Sequence, residues 1–348
     1  MLPAFRSRLS VFSFCGLMIV LLGMPLICKW VGHPAREQAY AGMPTEAGLI
    51  GPHVKEMFHD PTDPDILFLG SSILRGGVDK STVEQALSAH LGRPAHVRTL
   101  ALNWQGPDQM YFLLRDYLDN HHVQFIIWDM PFPGTRDFEP HLESFHWARY
   151  GEYSDAWQGL SFRWKFAIYG EMVLGSGREL YSHIRANRLS AREIDAPMHS
   201  VALGYYGKDF VVEPFSDVPV PSLDQSYQEP PYHSVRVVGK PLPPYGLYFA
   251  EKISALIQEK HIHVAFIHVA MDTDKDLDYI PERGNWPEVL HLDGPMIGAP
   301  SNLIFPHMSD ERYYRFFQDQ HLNTNGSALF TASVLPSILK AYDVANSK

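Results

Sequence analysis

Cysteine is nearly absent from this chain of 348 residues. Both cysteines, Cys15 and Cys28, lie within an apolar segment at the N-terminus. The residues after Cys28 can therefore form neither an intramolecular disulfide nor a thiol-ligated metal site. A body without thiols is compatible with an oxidising compartment such as the periplasm.

Excess positive charge and a phosphate-binding fingerprint are also missing. The chain has 29 Lys and Arg against 39 Asp and Glu, for a formal net charge of -10. This balance gives no electrostatic basis for a nucleic-acid partner. No glycine-rich phosphate loop or dinucleotide fingerprint occurs, so no cofactor is predicted. A neutral or polar substrate, such as a sugar polymer, fits this composition better.

Metal-binding patterns are incomplete. The acidic run Asp272–Asp278 alternates like a calcium loop, but Leu277 stands where the loop needs glycine, and Arg283 where it needs glutamate. His261 and His263 would share one face of a strand, but no third zinc ligand is identifiable. The sequence therefore predicts no metal site.

A long run without a charged side chain is present at the N-terminus. Val11–Cys28 spans 18 residues and follows Arg6 and Arg8. This length is near the lower limit for crossing a bilayer, and a basic leader favours a cytoplasmic N-terminus. Residues 1–31 are therefore predicted to be a single-pass anchor in the inner (cytoplasmic) membrane, with the rest of the chain periplasmic. A cleaved signal peptide is the alternative.

The remainder is predicted to be a linker at residues 32–62 and one domain at residues 63–348. Strands and helices alternate along this domain, which predicts an α/β fold with a parallel sheet sandwiched by helices. The predicted strands are 66–69, 97–102, 123–128 and 263–269, and the predicted helices are 80–91, 108–118, 245–257 and 326–341. Residues 132–243 interrupt the alternation and are rich in aromatic residues and then in proline. We interpret them as a large irregular insertion that flanks the ligand site.

Two short segments carry residues suited to nucleophilic chemistry. The first strand ends in the turn Gly70-Ser71-Ser72, where ligand sites of parallel sheets lie. Asp319-Gln320-His321-Leu322-Asn323 precedes the last predicted helix. A serine on a tight turn, a carboxylate and an imidazole are the components of a serine acyl-transfer site.

These segments resemble a known superfamily. The residues that carry the resemblance are Gly70-Ser71-Ser72, Gly106 in Asn103-Trp104-Gln105-Gly106, and His321-Leu322-Asn323 followed by Gly326 and Phe330. In that order they are similar to the first, second and last motif blocks of the SGNH (GDSL-like) hydrolase and acyltransferase superfamily. The strand running into Ile127-Trp128-Asp129-Met130-Pro131, together with the N-terminal anchor, resembles the membrane-anchored alginate O-acetyltransferase branch. The resemblance covers residues 60–130 and 245–345 and implies an SGNH-like sheet.

The resemblance implies a role for each catalytic residue. Ser72 would be the nucleophile and His321 its base, with Ser71 as the alternative nucleophile. Asp319 would orient His321, or the site would work as a serine–histidine dyad. The superfamily usually has its aspartate three residues before the histidine, but Gln318 stands there.

Other residues would bind the oxyanion or the substrate. The backbone N–H groups of Ser72 and Gly106, and the amide of Asn103, would bind the oxyanion. Arg75 would contact substrate or support the local structure. Asp129 lies near the place of the asparagine usual in the third block, and acyltransferases tolerate that loss better than hydrolases.

The function implied is a membrane-anchored extracytoplasmic O-acyltransferase that O-acetylates an exported polysaccharide through a serine acyl-enzyme. Its partners would be the polysaccharide substrate and a multispanning membrane acyltransferase that supplies the acyl group. Two alternatives stay open. One is an SGNH esterase or deacetylase acting on acylated polysaccharide, and the other is a non-catalytic polysaccharide-binding or assembly component.

Overall fold

The computed structural model describes residues 7–31, 36–41, 50–102, 106–129, 160–170, 233–237, 244–283, 290–305, 309–318 and 321–347. The chain forms two compact units. One comprises Met1–Pro44 and Pro140–Asp195, and the other comprises Thr45–Glu139 and Ala196–Lys348. The second, larger unit is called the α/β unit below.

The first unit contains helices α1 (Arg8–Val31) and α2 (Arg36–Ala41) and a helix at residues 162–170. Helix α1 includes the long uncharged run, and the apolar part of it that is described with its side chains is Arg8–Gly23. Much of the predicted insertion at 132–243 lies outside the described residues.

The first described element of the α/β unit is a helix, and strands separated by helices follow up to the gap in the description after β3. Its first half contains α3 (Ile50–Phe58), β1 (Ile66–Ser71), α4 (Ser72–Gly77), α5 (Lys80–Leu91), β2 (Val97–Leu102), α6 (Pro107–Leu118) and β3 (Phe125–Asp129). Its second half contains β4 (Ser234–Val237), α7 (Pro244–Glu259), β5 (His263–Ile267), a 3₁₀ turn (Asp272–Asp274), β6 (Ile280–Arg283), β7 (Met296–Ile297), α8 (Ser301–Ile304), α9 (Asp310–Tyr314), β8 (Phe317–Gln318), β9 (His321–Leu322) and α10 (Thr324–Asn346). The four predicted strands and four predicted helices are confirmed, with ends that move by a few residues.

The central sheet has five strands in the order β2-β1-β3-β5-β7, and each neighbouring pair is parallel. The predicted parallel α/β architecture is therefore confirmed. The chain moves from β1 to β2 on one side and returns to β3 on the other. The crevice between the carboxyl ends of β1 and β3 is thus the point where the strand order reverses, which is where doubly wound sheets bind ligands.

The strands bury side chains on both faces of the sheet. On one face, Phe68 and Ile127 belong to a core cluster that includes side chains of α5 and α10. On the other face, Trp128 and Phe266 are neighbours in register, with ring centroids 6.4 Å apart. Helix α6 contacts β1 and β2 and packs on α7. Burial on both faces explains why these strands are continuous apolar runs rather than alternating ones.

The segment predicted as a linker is partly folded. Helix α3 buries His53 and Met57, which lie four residues apart on one face. His121 Nε2 lies 3.0 Å and 3.1 Å from the carbonyl oxygens of Glu56 and Met57, at the end of α3. The structure differs from the expected tether because this spacing gives residues 50–58 an inward face.

Within the described residues, one helix is long and apolar enough to cross a membrane. It is the C-terminal helix α10, and 61% of its apolar window is buried in the protein. Its packing against the sheet is that of a core helix, since Phe330, Val334 and Ile338 belong to the core cluster. The described apolar part of α1 is shorter, so the structure by itself does not show an N-terminal anchor.

Candidate active site

Ser71 and Ser72 occupy the junction of β1 and α4, at the carboxyl edge of the sheet. Ser71 is the N-cap of α4, with extended backbone, and its Oγ accepts a hydrogen bond from the Ile73 N–H at 3.2 Å. The Ser71 hydroxyl donates to Asp129 Oδ2 at 3.0 Å. This bond joins the ends of β1 and β3 across the reversal of strand order. Both functions of the Ser71 hydroxyl, as donor and as acceptor, are therefore used inside the fold.

Ser72 instead faces the last part of the chain. Its Oγ lies 2.8 Å from His321 Nε2, although the two residues are 249 positions apart in sequence. This distance is that of an O–H···N hydrogen bond, and the Ser72 hydroxyl can donate only to an unprotonated Nε2. When the Ser72 hydroxyl donates this bond, the imidazole that accepts it is neutral and carries its proton on Nδ1. The structure therefore brings the predicted nucleophile and base into direct contact.

Local structure on both sides of His321 holds the histidine in place. Strand β9 pairs antiparallel with β8, so that Gln318 lies opposite His321. Asn323 follows as the N-cap of α10 and accepts hydrogen bonds from the backbone N–H groups of Asn325 and Gly326, at 3.1 Å and 3.0 Å. An asparagine cap of this kind fixes where the helix begins. The pairing with β8 and the cap together restrict the position of the His321 backbone.

Two glycines at the end of α4 allow the helix to approach its neighbours. A Cβ atom on Gly76 would lie 3.8 Å from His321 Cβ and 3.6 Å from the Leu322 carbonyl oxygen. A Cβ atom on Gly77 would lie only 2.2 Å from Val269 Cγ1, on the loop after β5. Ser72 is on the same short helix, so this close packing affects the position of the Ser72 side chain relative to His321.

Arg75 contacts the backbone at the end of β2. Its Nη1 donates to the Ala101 carbonyl oxygen at 3.4 Å, and His53 Nε2 donates to the same oxygen at 3.2 Å. Burial lowers the pKa of Arg75 to about 10, so its guanidinium stays charged at neutral pH. Burial also lowers the pKa of His53, which favours a neutral imidazole beside that charge. Of the two predicted roles for Arg75, the structure shows a supporting contact.

The remaining predicted site residues differ in how far the structure describes them. Gly106 is buried and is the N-cap of α6, in extended backbone, on the loop that leaves the carboxyl end of β2. It therefore lies at the same edge of the sheet as Ser72. Asn103 and Asp319 lie outside the described residues, so their predicted roles stay predictions.

Sequence reasoning missed two features of this site. It placed Asp129 near the oxyanion but did not foresee its hydrogen bond with Ser71. It also passed over the Gly76-Gly77 pair, although two successive glycines shortly after a nucleophile turn are a sequence signal of close helix approach. In the part of the chain that the structure describes, no group of three or more His, Cys, Asp or Glu side chains could hold a metal ion.

Comparisons of this chain with protein-family models, with curated proteins and with solved structures found no match. The function proposed below therefore combines the geometry of the chain's own residues with the resemblance of its motifs.

Proposed function

We propose that this protein is a membrane-anchored extracytoplasmic O-acyltransferase, which O-acetylates an exported polysaccharide through an acyl-enzyme on Ser72. The observation that carries the proposal is the 2.8 Å distance between Ser72 Oγ and His321 Nε2 at the carboxyl edge of a parallel sheet. A serine hydroxyl is a poor nucleophile until a base removes its proton. An imidazole nitrogen at hydrogen-bond distance can be that base.

The reaction would proceed in two halves. In the first half, Ser72 Oγ attacks the acyl carbonyl carbon of the donor while His321 Nε2 takes the hydroxyl proton. Collapse of the tetrahedral intermediate breaks the bond to the donor's leaving oxygen, which receives that proton and departs. In the second half, His321 removes a proton from a sugar hydroxyl, which attacks the acyl-Ser72 ester. The products are the O-acetylated sugar and free Ser72, whose oxygen regains the proton from His321.

The intermediates of both halves carry negative charge on the former carbonyl oxygen. Backbone N–H groups pre-oriented toward that oxygen stabilise it, and one such donor contributes about 3–4 kcal/mol in known hydrolases. We assign this role to the N–H groups of Ser72 and Gly106, with the Asn103 amide as a third donor. Asp319 would orient His321.

The contacts favour Ser72 over Ser71 as the nucleophile. The Ser71 hydroxyl donates to Asp129, so its attack would first have to break a charge-assisted hydrogen bond. Ser71 also caps α4 through Ile73 N–H, which ties its oxygen to the backbone. The Ser72 hydroxyl instead meets an imidazole that can accept its proton. Ser71 and Asp129 thus support the turn from which Ser72 acts.

A variant pair tests this division of roles. Ser71→Ala removes a helix cap, so we expect it to lower the free energy of unfolding by about 0.5–2 kcal/mol while acyl-enzyme formation on Ser72 continues. Asp129→Asn keeps an acceptor oxygen of the same shape and serves as the milder control. Chemical denaturation and mass spectrometry of the acylated protein measure the two effects. Loss of the adduct in Ser71→Ala, with an adduct retained in Ser72→Ala, would make Ser71 the nucleophile.

The function itself is tested with the full-length protein in detergent and an activated acetyl ester, with and without acceptor oligosaccharides. We expect mass spectrometry to find one acetyl group on the peptide that contains Ser72. Added oligosaccharide should discharge it and become acetylated. Release of acetate at the same rate with or without sugar would identify an esterase. No adduct and no turnover would leave the polysaccharide-binding alternative.

The membrane part of the proposal rests on α1. Its described residues carry large apolar side chains that are exposed all around the helix, including Leu9, Phe12, Leu17 and Ile19. A helix that is apolar on all sides either is buried in a protein core or spans a membrane. The basic residues Arg6 and Arg8 before the apolar run favour a cytoplasmic N-terminus.

A topology reporter checks this orientation. A periplasm-active enzyme fused after Lys348 of the full chain should be active, and a cytoplasm-active enzyme at the same position should be inactive. The reverse pattern would contradict both the anchor and an exported substrate.

A further inference from the structure

Exposed apolar side chains are concentrated in the first compact unit. Of the 15 large hydrophobic side chains found exposed in the described residues, nine belong to α1 and two to the helix at residues 162–170. The two are Phe162 and Phe166, with 84% and 72% of their surface exposed. Large exposed apolar patches on a soluble surface are unusual and mark a place where another apolar phase or surface is bound.

The helix at 162–170 has one inward and one outward side. Ile168 and Leu160 beside it are buried, while Phe162 and Phe166, four residues apart, are exposed on one face. Its sequence places Arg163 and Lys165 between the aromatic residues. The Arg163 guanidinium lies 5.4 Å from the centre of the Trp164 ring. In an interfacial helix, phenylalanine side chains contact the lipid acyl chains, and tryptophan, arginine and lysine lie at the level of the headgroups. The helix at 162–170 has this composition.

A hydrogen bond ties this helix to α1. The Tyr169 hydroxyl donates to the Leu22 carbonyl oxygen at 2.7 Å, although the residues are 147 positions apart. Leu22 lies about 21 Å along the axis from Arg8, at 1.5 Å per residue. If Arg8 is at the cytoplasmic headgroups, Leu22 lies in the far half of a hydrocarbon layer about 30 Å thick. The contact is therefore on the extracytoplasmic side in the topology proposed above.

We propose that the helix at 162–170 is a second membrane-contacting element, which inserts Phe162 and Phe166 into the outer leaflet of a lipid bilayer beside α1. The occupant of the exposed face is lipid because the same helix is hydrogen-bonded through Tyr169 to α1, which is apolar on all sides. The two basic residues of the helix complement anionic headgroups. The inference rests on the anchorage proposed for α1 and is independent of the acyl-transfer chemistry. Two membrane contacts would restrict rotation of this unit about α1, as a single spanning helix would not.

Site-specific fluorescence on the full-length chain tests the inference. Because the sequence has only Cys15 and Cys28, replacing both with alanine gives a background for single cysteines. An environment-sensitive dye is attached at Phe166→Cys, with Phe162→Cys as a second probe. Phe14→Cys in α1 is the anchor control, and Leu303→Cys, an apolar side chain of the α/β unit that is 53% exposed, is the matched surface control. The proteins are reconstituted in vesicles of phosphatidylethanolamine and phosphatidylglycerol.

We expect dyes at positions 162, 166 and 14 to emit at shorter wavelength and to lose emission to nitroxide-labelled lipid but not to aqueous iodide. The dye at position 303 should show the reverse. If the dyes at positions 162 and 166 behave like the dye at 303, while the dye at position 14 is still quenched by lipid nitroxide, α1 is an anchor and the inference is wrong. If 14 also behaves like 303, the anchorage fails as well. Protection of 162 and 166 from both quenchers would mean that a second copy of the chain covers the face, which also overturns the inference.

Discussion

Replacing Ser72 with alanine is expected to eliminate the acetyl–enzyme adduct and to lower acyl transfer about 1,000-fold or more. In sites where a serine and a histidine act as one unit, loss of the nucleophile removes nearly all of the covalent pathway. The residual rate would come from substrate binding and oxyanion stabilisation alone. Single-turnover acylation and mass spectrometry of the full-length protein measure both effects, with circular dichroism as the control for folding.

His321→Ala should lower the rate of acyl transfer nearly as much. The double variant Ser72→Ala/His321→Ala should be no slower than Ser72→Ala alone, because members of one catalytic unit have non-additive effects. Asp319→Ala should lower the rate of acyl transfer by about one to two orders of magnitude less than Ser72→Ala does, if Asp319 only orients the imidazole. If neither Ser71→Ala nor Ser72→Ala lowers transfer, the contact between Ser72 and His321 has no catalytic role and the acyl-enzyme mechanism is wrong.

Replacing Gly77 with alanine is expected to destabilise the α/β unit by about 1–3 kcal/mol, the usual cost of overpacking a core. The added Cβ would lie 2.2 Å from Val269 Cγ1, so either the buried valine or α4 must move. Gly76→Ala is the matched control on the same helix, because its Cβ meets only ordinary contacts at 3.6 Å and 3.8 Å. That variant should be neutral or stabilising, since alanine favours helix by about 1 kcal/mol over glycine.

Denaturant unfolding of the variants measures the difference. The double variant Gly77→Ala/Val269→Ala restores space and should recover part of the loss, as expected for residues in contact. We also expect slower acylation in Gly77→Ala, because Ser72 is on the displaced helix and small displacements of reacting groups are costly. Equal stability of Gly76→Ala and Gly77→Ala, or no recovery in the double variant, would contradict this packing account.

Much of the secondary structure of this protein follows from local sequence. The apolar runs at 66–69 and 263–269 and the helical spacing at 80–91 depend on neighbours within a few residues, so periodicity alone located them. Their alternation indicated a parallel sheet, and the turn Gly70-Ser71-Ser72 indicated where its ligand edge lies. Helix α3 at residues 50–58 could not be predicted in this way, because the glycine, proline and charged residues around it are typical of a linker. Its inward face becomes visible only when His121 and the sheet are in place.

The site depended on tertiary structure. Sequence could name Ser72 and His321 as partners, but a 2.8 Å contact between residues 249 positions apart exists only because α4 packs against β9. The motif favours Ser72 over Ser71 by its position in the turn, but it does not indicate which groups the two hydroxyls contact. The strand order places Asp129 beside Ser71, so the Ser71 hydroxyl donates to this carboxylate while the Ser72 hydroxyl lies against the imidazole of His321. Long-range contacts of this kind are set by the packing of whole elements, and no local pattern encodes them.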